Sequence, residues 1–231
     1  MVERQVFGFS GVLAGGADGF RLIEHAIGLG RGPRVCHLPT ATGDDAEAVG
    51  RLRDAVEARL AGVELTVLRL YPQPSVPDVR AHLLAQDVIL VNGGSVVNLM
   101  AVWRAHGLPP VLRECWEAGT VLAGWSAGSV CWHTGGPTDS YRDALDPFED
   151  GLGFLPYSNG VHDDFAGQPR RAVYRRMVAD GTLLPGYASE DGVGLHYRGT
   201  AFHEAVTVVP DGAAWWVDRD GDRRIPARPL S

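Results

Sequence analysis

Ser126 stands between Gly124 and Gly128 in the run Val121-Leu122-Ala123-Gly124-Trp125-Ser126-Ala127-Gly128-Ser129-Val130. An apolar stretch that ends in G-x-S-x-G has the spacing of a nucleophile elbow, where small neighbours let a sharp strand-to-helix turn push a hydroxyl out over a sheet. The five-residue pattern fits an ordinary glycine-rich turn just as well, so its partners must decide. A serine hydroxyl is a weak nucleophile near neutral pH unless a base takes its proton, and the usual base is a histidine oriented by a carboxylate.

Eight histidines compete for that place. His25, His82 and His106 fall in helices or at helix ends, and His37 closes a strand. His133 lies seven residues beyond Ser126 on what reads as one helix, about 10 Å along its axis and out of hydrogen-bond reach. His196 and His203 sit in an alternating tail, where a structural histidine is the simpler reading. His162 is in a loop, Tyr157-Ser158-Asn159-Gly160-Val161-His162-Asp163-Asp164-Phe165, and a loop can carry it to the serine. For the orienting acid the choices are Asp139, Asp163, Asp164, Glu190 and Asp191. Asp163 and Asp164 adjoin the base and would have to fold back on it. Glu190 follows a short strand-like run, Gly186 to Ser189, and spacing does not choose between it and Asp139. Two backbone N–H groups must face a developing oxyanion; Ala127, next to the serine, is one source and Gly93-Gly94 the other.

These residues need a scaffold that gathers them at one edge. Val6 to Phe9 reads as a strand followed by Gly11, Gly15 and Gly16 and then by the periodic stretch Phe20, Leu22, Ile23, Ala26 and Ile27. The loop lacks G-x-G-x-x-G, which argues against a dinucleotide site. Val35 to Leu38 is a second strand; Asp44-Asp45 opens a helix with Val49, Leu52, Val56 and Leu60 on one face, closed by Gly62. Leu65 to Leu70 is a third strand. Asp87 to Val91 is a continuous apolar strand running into Asn92-Gly93-Gly94-Ser95, and Ser95 caps a helix that buries Leu99, Met100 and Trp103. A further helix starts at Pro109 and ends at Gly119. Strands alternating with helices over residues 6–134 predict an α/β fold with a doubly wound, mostly parallel sheet, and such sheets bind ligands at the carboxyl ends of their strands. Ser126 and Gly93-Gly94 both fall there. Beyond residue 135 come loops, a helix over about 169–180, and a tail whose short runs and Asp-Gly turns predict antiparallel strands. Without a linker or repeat, residues 1–231 read as one domain.

Bulk properties narrow the function. The net charge is −7 with scattered basic residues, which argues against nucleic acid as a partner. The cluster Arg170, Arg171, Arg175 and Arg176 on one helix reads as a solvated face. Three distant cysteines without a C-x-x-C pair indicate a reducing, cytoplasmic setting, and neither a signal peptide nor an apolar span for a membrane is expected. No cluster of ligands has metal-binding spacing, so neither a metal nor an organic cofactor is expected. A small molecule is the default substrate, handled by a monomer or homodimer.

With these motifs in hand the sequence resembles the peptidase E, or aspartyl dipeptidase, family of serine peptidases, relatives of the cyanophycinases. The resemblance rests on Leu38-Pro39-Thr40-Ala41, Val91-Asn92-Gly93-Gly94-Ser95, Gly124-Trp125-Ser126-Ala127-Gly128, Thr138-Asp139-Ser140, Gly151-Leu152-Gly153-Phe154-Leu155-Pro156, His162-Asp163-Asp164-Phe165 and Ser189-Glu190-Asp191-Gly192, which follow in the family's order. It implies a flavodoxin-like fold similar to the class I glutamine amidotransferases and a Ser-His-Glu triad: Ser126 as nucleophile, His162 as base and then acid, Glu190 as orienting group, with Asp139 second for that last role. Members that release amino-terminal aspartate carry G-x-T-R-x-x-R after the histidine. Here the stretch is Gly167-Gln168-Pro169-Arg170-Arg171-Ala172-Val173, which keeps Arg170 as a group to face a substrate carboxylate and lacks the threonine and second arginine. The implied activity is small-peptide hydrolysis through an acyl-enzyme, with a lean toward amino-terminal aspartate. Two other readings stand beside it: an α/β-hydrolase esterase or amidase using Asp191 and His203, and a catalytically silent homologue that binds a small ligand.

Overall fold

A computed structural model describes residues 2–11, 13–14 and 17–230. The chain begins with strand β1 (Gln5–Phe9), helix α1 (Phe20–Gly28), β2 (Arg34–Leu38), α2 (Ala46–Arg59) and β3 (Glu64–Val67). It continues through α3 (Val79–Leu84), β4 (Val88–Val91), α4 (Val96–Ala105), α5 (Leu108–Glu117), β5 (Val121–Trp125) and α6 (Ala127–Val130). The remainder holds β6 (Ser158–Gly160), α7 (Arg170–Ala179), β7 (Gly186–Ser189), β8 (Val193–Arg198), β9 (Ala201–Thr207), β10 (Ala213–Asp218) and β11 (Gly221–Pro226).

The large sheet runs in the order β9-β8-β1-β5-β4-β2-β3, with the short strand Arg228–Pro229 paired parallel outside β9. From β1 to β3 all neighbours are parallel, whereas β8 joins β1 and β9 joins β8 antiparallel. This is the α/β architecture with antiparallel carboxyl-terminal strands that the alternation predicts. The central strands are apolar throughout because helices cover both faces: every residue of β4 is buried, as are Val121 to Gly124 of β5. On one face Leu22, Ile23 and Ala26 of α1 and Leu52 and Val56 of α2 pack on Phe7, Phe9, Val35 and Leu90. On the other, Leu99 and Trp103 of α4 and Leu112, Cys115 and Trp116 of α5 pack on Cys36, Ile89 and Leu122.

Three local expectations change. The stretch after Ser126 is a single helical turn ending at Val130, and His133 lies beyond it with its Nδ1 against the Ser129 carbonyl at 2.9 Å. The helix expected around His82, to which the sequence gives no bounds, is α3, which the Asp78 side chain caps by accepting from the Ala81 N–H at 2.9 Å. Residues 135–160 are not uniformly irregular: Gly136–Thr138 pairs with Asp146–Phe148, and β6, β7, β10 and β11 form a second sheet of four strands. Gly15 and Gly16 of the first glycine loop lie outside the described residues.

Candidate active site

The elbow follows from backbone contact that only glycine permits. A Cβ on Gly124 would stand 2.5 Å from both the Gly128 and Val91 carbonyl oxygens, and one on Gly128 would stand 2.2 Å from the Val91 oxygen. Both glycines therefore let β5, α6 and the end of β4 close on one another. The turn between them holds Ser126 at φ 53°, ψ −115°, outside the favoured regions for an L-residue. The Ser126 N–H donates to the Phe9 carbonyl at 2.9 Å, which ties the elbow to the carboxyl end of β1.

His162 also has a positive φ, 56°, and its Nε2 lies 3.0 Å from the Ser126 hydroxyl oxygen. Its Nδ1 lies 2.5 Å from Oδ1 of Asp191. Each of these two side chains keeps 22% of its surface exposed, so the pair sits at a cleft wall rather than in the core. Glu190, the acid expected from the family resemblance, is turned the other way. Its Oε1 accepts from Arg171 Nη2 at 2.9 Å and its Oε2 from the Ala213 N–H at 2.9 Å. Both acids lie past the end of β7, where the Val193 N–H closes a turn on the Glu190 carbonyl at 3.1 Å, and this turn brings Asp191 to the histidine while Glu190 faces Arg171. Asp139, the other choice, accepts from Arg170 Nη2 at 2.8 Å and from Gln168 Nε2 at 3.2 Å. Arg170 is correspondingly buried against Asp139 rather than free for a substrate.

The histidine loop is anchored by residues that sequence reading passes over. Ser10, fully buried one residue past β1, donates its hydroxyl to the Ser189 carbonyl at 2.7 Å and accepts from the His162 N–H at 2.9 Å. Its position at the end of a central strand next to β5 is the signal that could have marked it. Asp164 accepts from the Asp191 N–H at 2.8 Å. Asp163 is buried and takes Arg171 Nε at 2.9 Å and Arg175 Nη1 at 2.8 Å, while both guanidinium groups lie over the Trp215 ring at 4.8 and 5.5 Å. Arg171 and Arg175 thus clamp the loop from beneath while Arg171 and Arg176 stay exposed, so the solvated face that their spacing suggests is present only in part.

Gly93 lies beside Ser126, and Gly94 lies against Ala41. A Cβ on Gly93 would come within 3.1 Å of the Ser126 Cβ and 3.0 Å of the Trp125 indole. Gly94 adopts φ +140° against the Ala41 carbonyl, where a side chain would collide at 2.2 Å. Among the described residues neither glycine's N–H has an acceptor, and the Ala127 N–H, first in α6, has no intrahelical partner. A cavity of about 560 Å³ opens beside them, bounded by Asn92, Gly93 and Trp125 with Phe20, Thr42 and Leu52. Asn92 donates through Nδ2 to the Thr42 hydroxyl at 3.0 Å, and that hydroxyl donates to the Pro39 carbonyl at 2.9 Å. The chain of donors fixes the amide so that Oδ1, buried and without a partner, is the free acceptor.

His203, the histidine of the esterase reading, lies on β9 beside His196, with ring centroids 5.2 Å apart. Asp191, the acid of that reading, is instead bonded to His162. No helix among the described residues is long and apolar enough to cross a membrane.

Comparison with known proteins gives the family and the fold of the chain. The profile of Peptidase family S51 matches residues 16–205. The chain is 37% identical over 175 residues to the uncharacterized peptidase YgaJ of Bacillus subtilis, covering 76% of this chain and 74% of that one. It is 24% identical over 151 residues to peptidase E of Pasteurella multocida, covering 62% and 63%. The structure of a putative peptidase E protein from Listeria monocytogenes superposes with a TM-score of 0.66 at 18% identity, over 90% of this chain and all of that one. That of a peptidase from an acI-B1 actinobacterium gives 0.69 at 19%, over 97% and 95%. These two share the fold. The length of the profile match and the identity to YgaJ together establish that the chain belongs to peptidase family S51.

Proposed function

We propose that this chain, working as one domain, is a serine exopeptidase that hydrolyses small peptides through an acyl-enzyme on Ser126. The observation that carries the reading is the continuous Ser126-His162-Asp191 contact, 3.0 Å and then 2.5 Å, at the carboxyl edge of a parallel sheet. His162 takes the Ser126 proton as the hydroxyl attacks the scissile carbonyl and returns it to the leaving amine; water then repeats the cycle on the ester. Asp191, in place of Glu190, holds the imidazole with its proton on Nδ1 and balances the imidazolium that forms. The N–H groups of Ala127 and of Gly93 or Gly94 receive the oxyanion.

Asn92 is part of the wall of the adjacent cavity, with its Oδ1 sealed from solvent. The cavity's other walls, Phe20, Leu52 and Trp125, are apolar, and Arg51, which also lines it, pairs with Glu47 at 2.5 Å. Since Arg170 is bonded to Asp139, an amino-terminal aspartate would find no unpaired cation beside Ser126 among the described residues. Apolar or small first residues are therefore the better substrates.

Purified protein and its variants assayed on a panel of dipeptides and tripeptides test the proposal. Ser126→Ala should abolish turnover, Asp191→Asn should lower kcat by roughly 10⁴-fold through the wrong imidazole tautomer, and Glu190→Gln should cost less than about tenfold. Full activity in Asp191→Asn with loss in Glu190→Gln would overturn the assignment.

A further inference from the structure

On the sheet face under α1, away from Ser126, the sequence holds His196 on β8 and His203 and Glu204 on β9. Regular alternation would send His203 and Glu204 to opposite faces. The pairing is irregular here: His196 lies opposite Glu204 while the next residue, Tyr197, lies opposite Phe202, so His203 is an extra residue in β9. A bulge of this kind re-aims side chains. Its result is that one nitrogen from each imidazole and one Glu204 oxygen all come within 4.8 Å of one another.

The protonation of His196 follows from its partners. Gln5 donates through Nε2 to the Leu29 carbonyl at 3.4 Å, so its Oε1 is the acceptor, and that oxygen lies 2.9 Å from His196 Nε2. Nε2 therefore carries the proton. Nδ1 is then a bare lone pair, in a residue only 1% exposed, and no donor among the described residues reaches it. A neutral imidazole whose outer N–H is held by a carbonyl oxygen is the usual state of a metal-binding histidine. Glu204 is steadied by Arg228, whose Nε and Nη2 reach its two oxygens at 2.8 and 2.9 Å, and each oxygen keeps a second lone pair. His203 is exposed, so its ring can turn inward.

We propose that His196 Nδ1, a ring nitrogen of His203 and a Glu204 oxygen form a binding site for a divalent transition cation, with zinc as the leading choice. Two imidazoles and one carboxylate suit zinc, cobalt or nickel rather than calcium or magnesium. Bonds of about 2.0–2.2 Å bring tetrahedral ligands to roughly 3.3 Å from one another, so the three groups, now within 4.8 Å, draw inward on binding, and the exposed His203 ring is the one freest to turn. A fourth position is left to water. The bound ion would fasten β9 to β8 at the bulge, and its role is separate from the chemistry at Ser126.

Full-length protein, stripped with a chelator, would be titrated with cobalt(II) while its visible absorbance is followed, and with zinc while its thermal midpoint is followed. The expected result is one equivalent bound with the intense bands of tetrahedral cobalt, and an upward midpoint shift with zinc that the chelator reverses. His203→Ala, a change at an exposed position, should weaken binding at least tenfold. His203→Cys should restore it, since a thiolate is a zinc ligand, and His106→Ala, at an exposed histidine elsewhere, should leave it unchanged. No saturable binding, or binding that is equal in His203→Ala, would overturn the site.

Discussion

Gly11 gives a sensitive measure of how tightly the His162-Asp191 pair is held. A Cβ at this position would stand 2.6 Å from Asp191 Oδ1 and 3.3 Å from His162 Cε1. Ordinary contact begins near 3.4 Å, so Gly11→Ala must separate the new methyl from the carboxylate by about 3.4 − 2.6 = 0.8 Å. The carboxylate cannot retreat without lengthening its 2.5 Å contact with Nδ1. Misplacement of a reacting group by about 1 Å can cost on the order of 10²-fold in rate. The expected outcome is a fall in kcat of roughly 10- to 100-fold, with KM changed much less, because substrate binding does not use Asp191. Steady-state kinetics on the best peptide would measure it. Gly28→Ala, where a methyl meets nothing within 4 Å, is the control and should leave kcat unaltered. Wild-type kcat in a folded Gly11→Ala protein would refute the claim that Asp191 orients the base.

Other outcomes follow from single contacts. Gly124→Ala forces a methyl between two backbone carbonyls at 2.5 Å and should lower stability by about 1–3 kcal/mol, read as a drop in Tm, with activity lost as the elbow shifts. Acid stability should reflect His37 and His133, whose burial pushes both down to about 4. The unfolded chain takes up their protons below about pH 6.5 and the folded chain does so only near 4, so stability is full above that window and is lost on acidification through it. Each contributes a slope of about 1.4 kcal/mol per pH unit, and His37→Phe should remove one such increment from urea-denaturation curves recorded across the window.

The parallel core was legible because its signals are local: continuous apolar strands such as Val88–Val91 and amphipathic helices each carry their own period. The tight strand-to-helix turn at Ser126 was legible for the same reason, since glycine spacing encodes a backbone approach. The acid was not. Glu190 and Asp191 are neighbours of the same charge, and which one faces His162 depends on how β7 enters the second sheet, a matter of pairing with β6 and β10 that no local pattern reports. Ser10 escaped notice because its partners, Ser189 and His162, are more than 150 residues away in sequence. The arginine clamp illustrates a different limit. Charge spacing on α7 shows where Arg171 and Arg175 point along the helix, but Asp163 and Trp215, their partners, come from other elements.

The account stands or falls on Ser126 as the nucleophile that His162 activates. A fluorophosphonate, which phosphonylates activated serines with loss of fluoride, followed by intact-mass measurement and peptide mapping, addresses this without knowledge of the natural substrate. The predicted result is a single adduct on Ser126 that is absent in Ser126→Ala and His162→Ala and forms far more slowly in Asp191→Asn. An adduct on another residue, or undiminished labelling of Ser126 in His162→Ala, would contradict it.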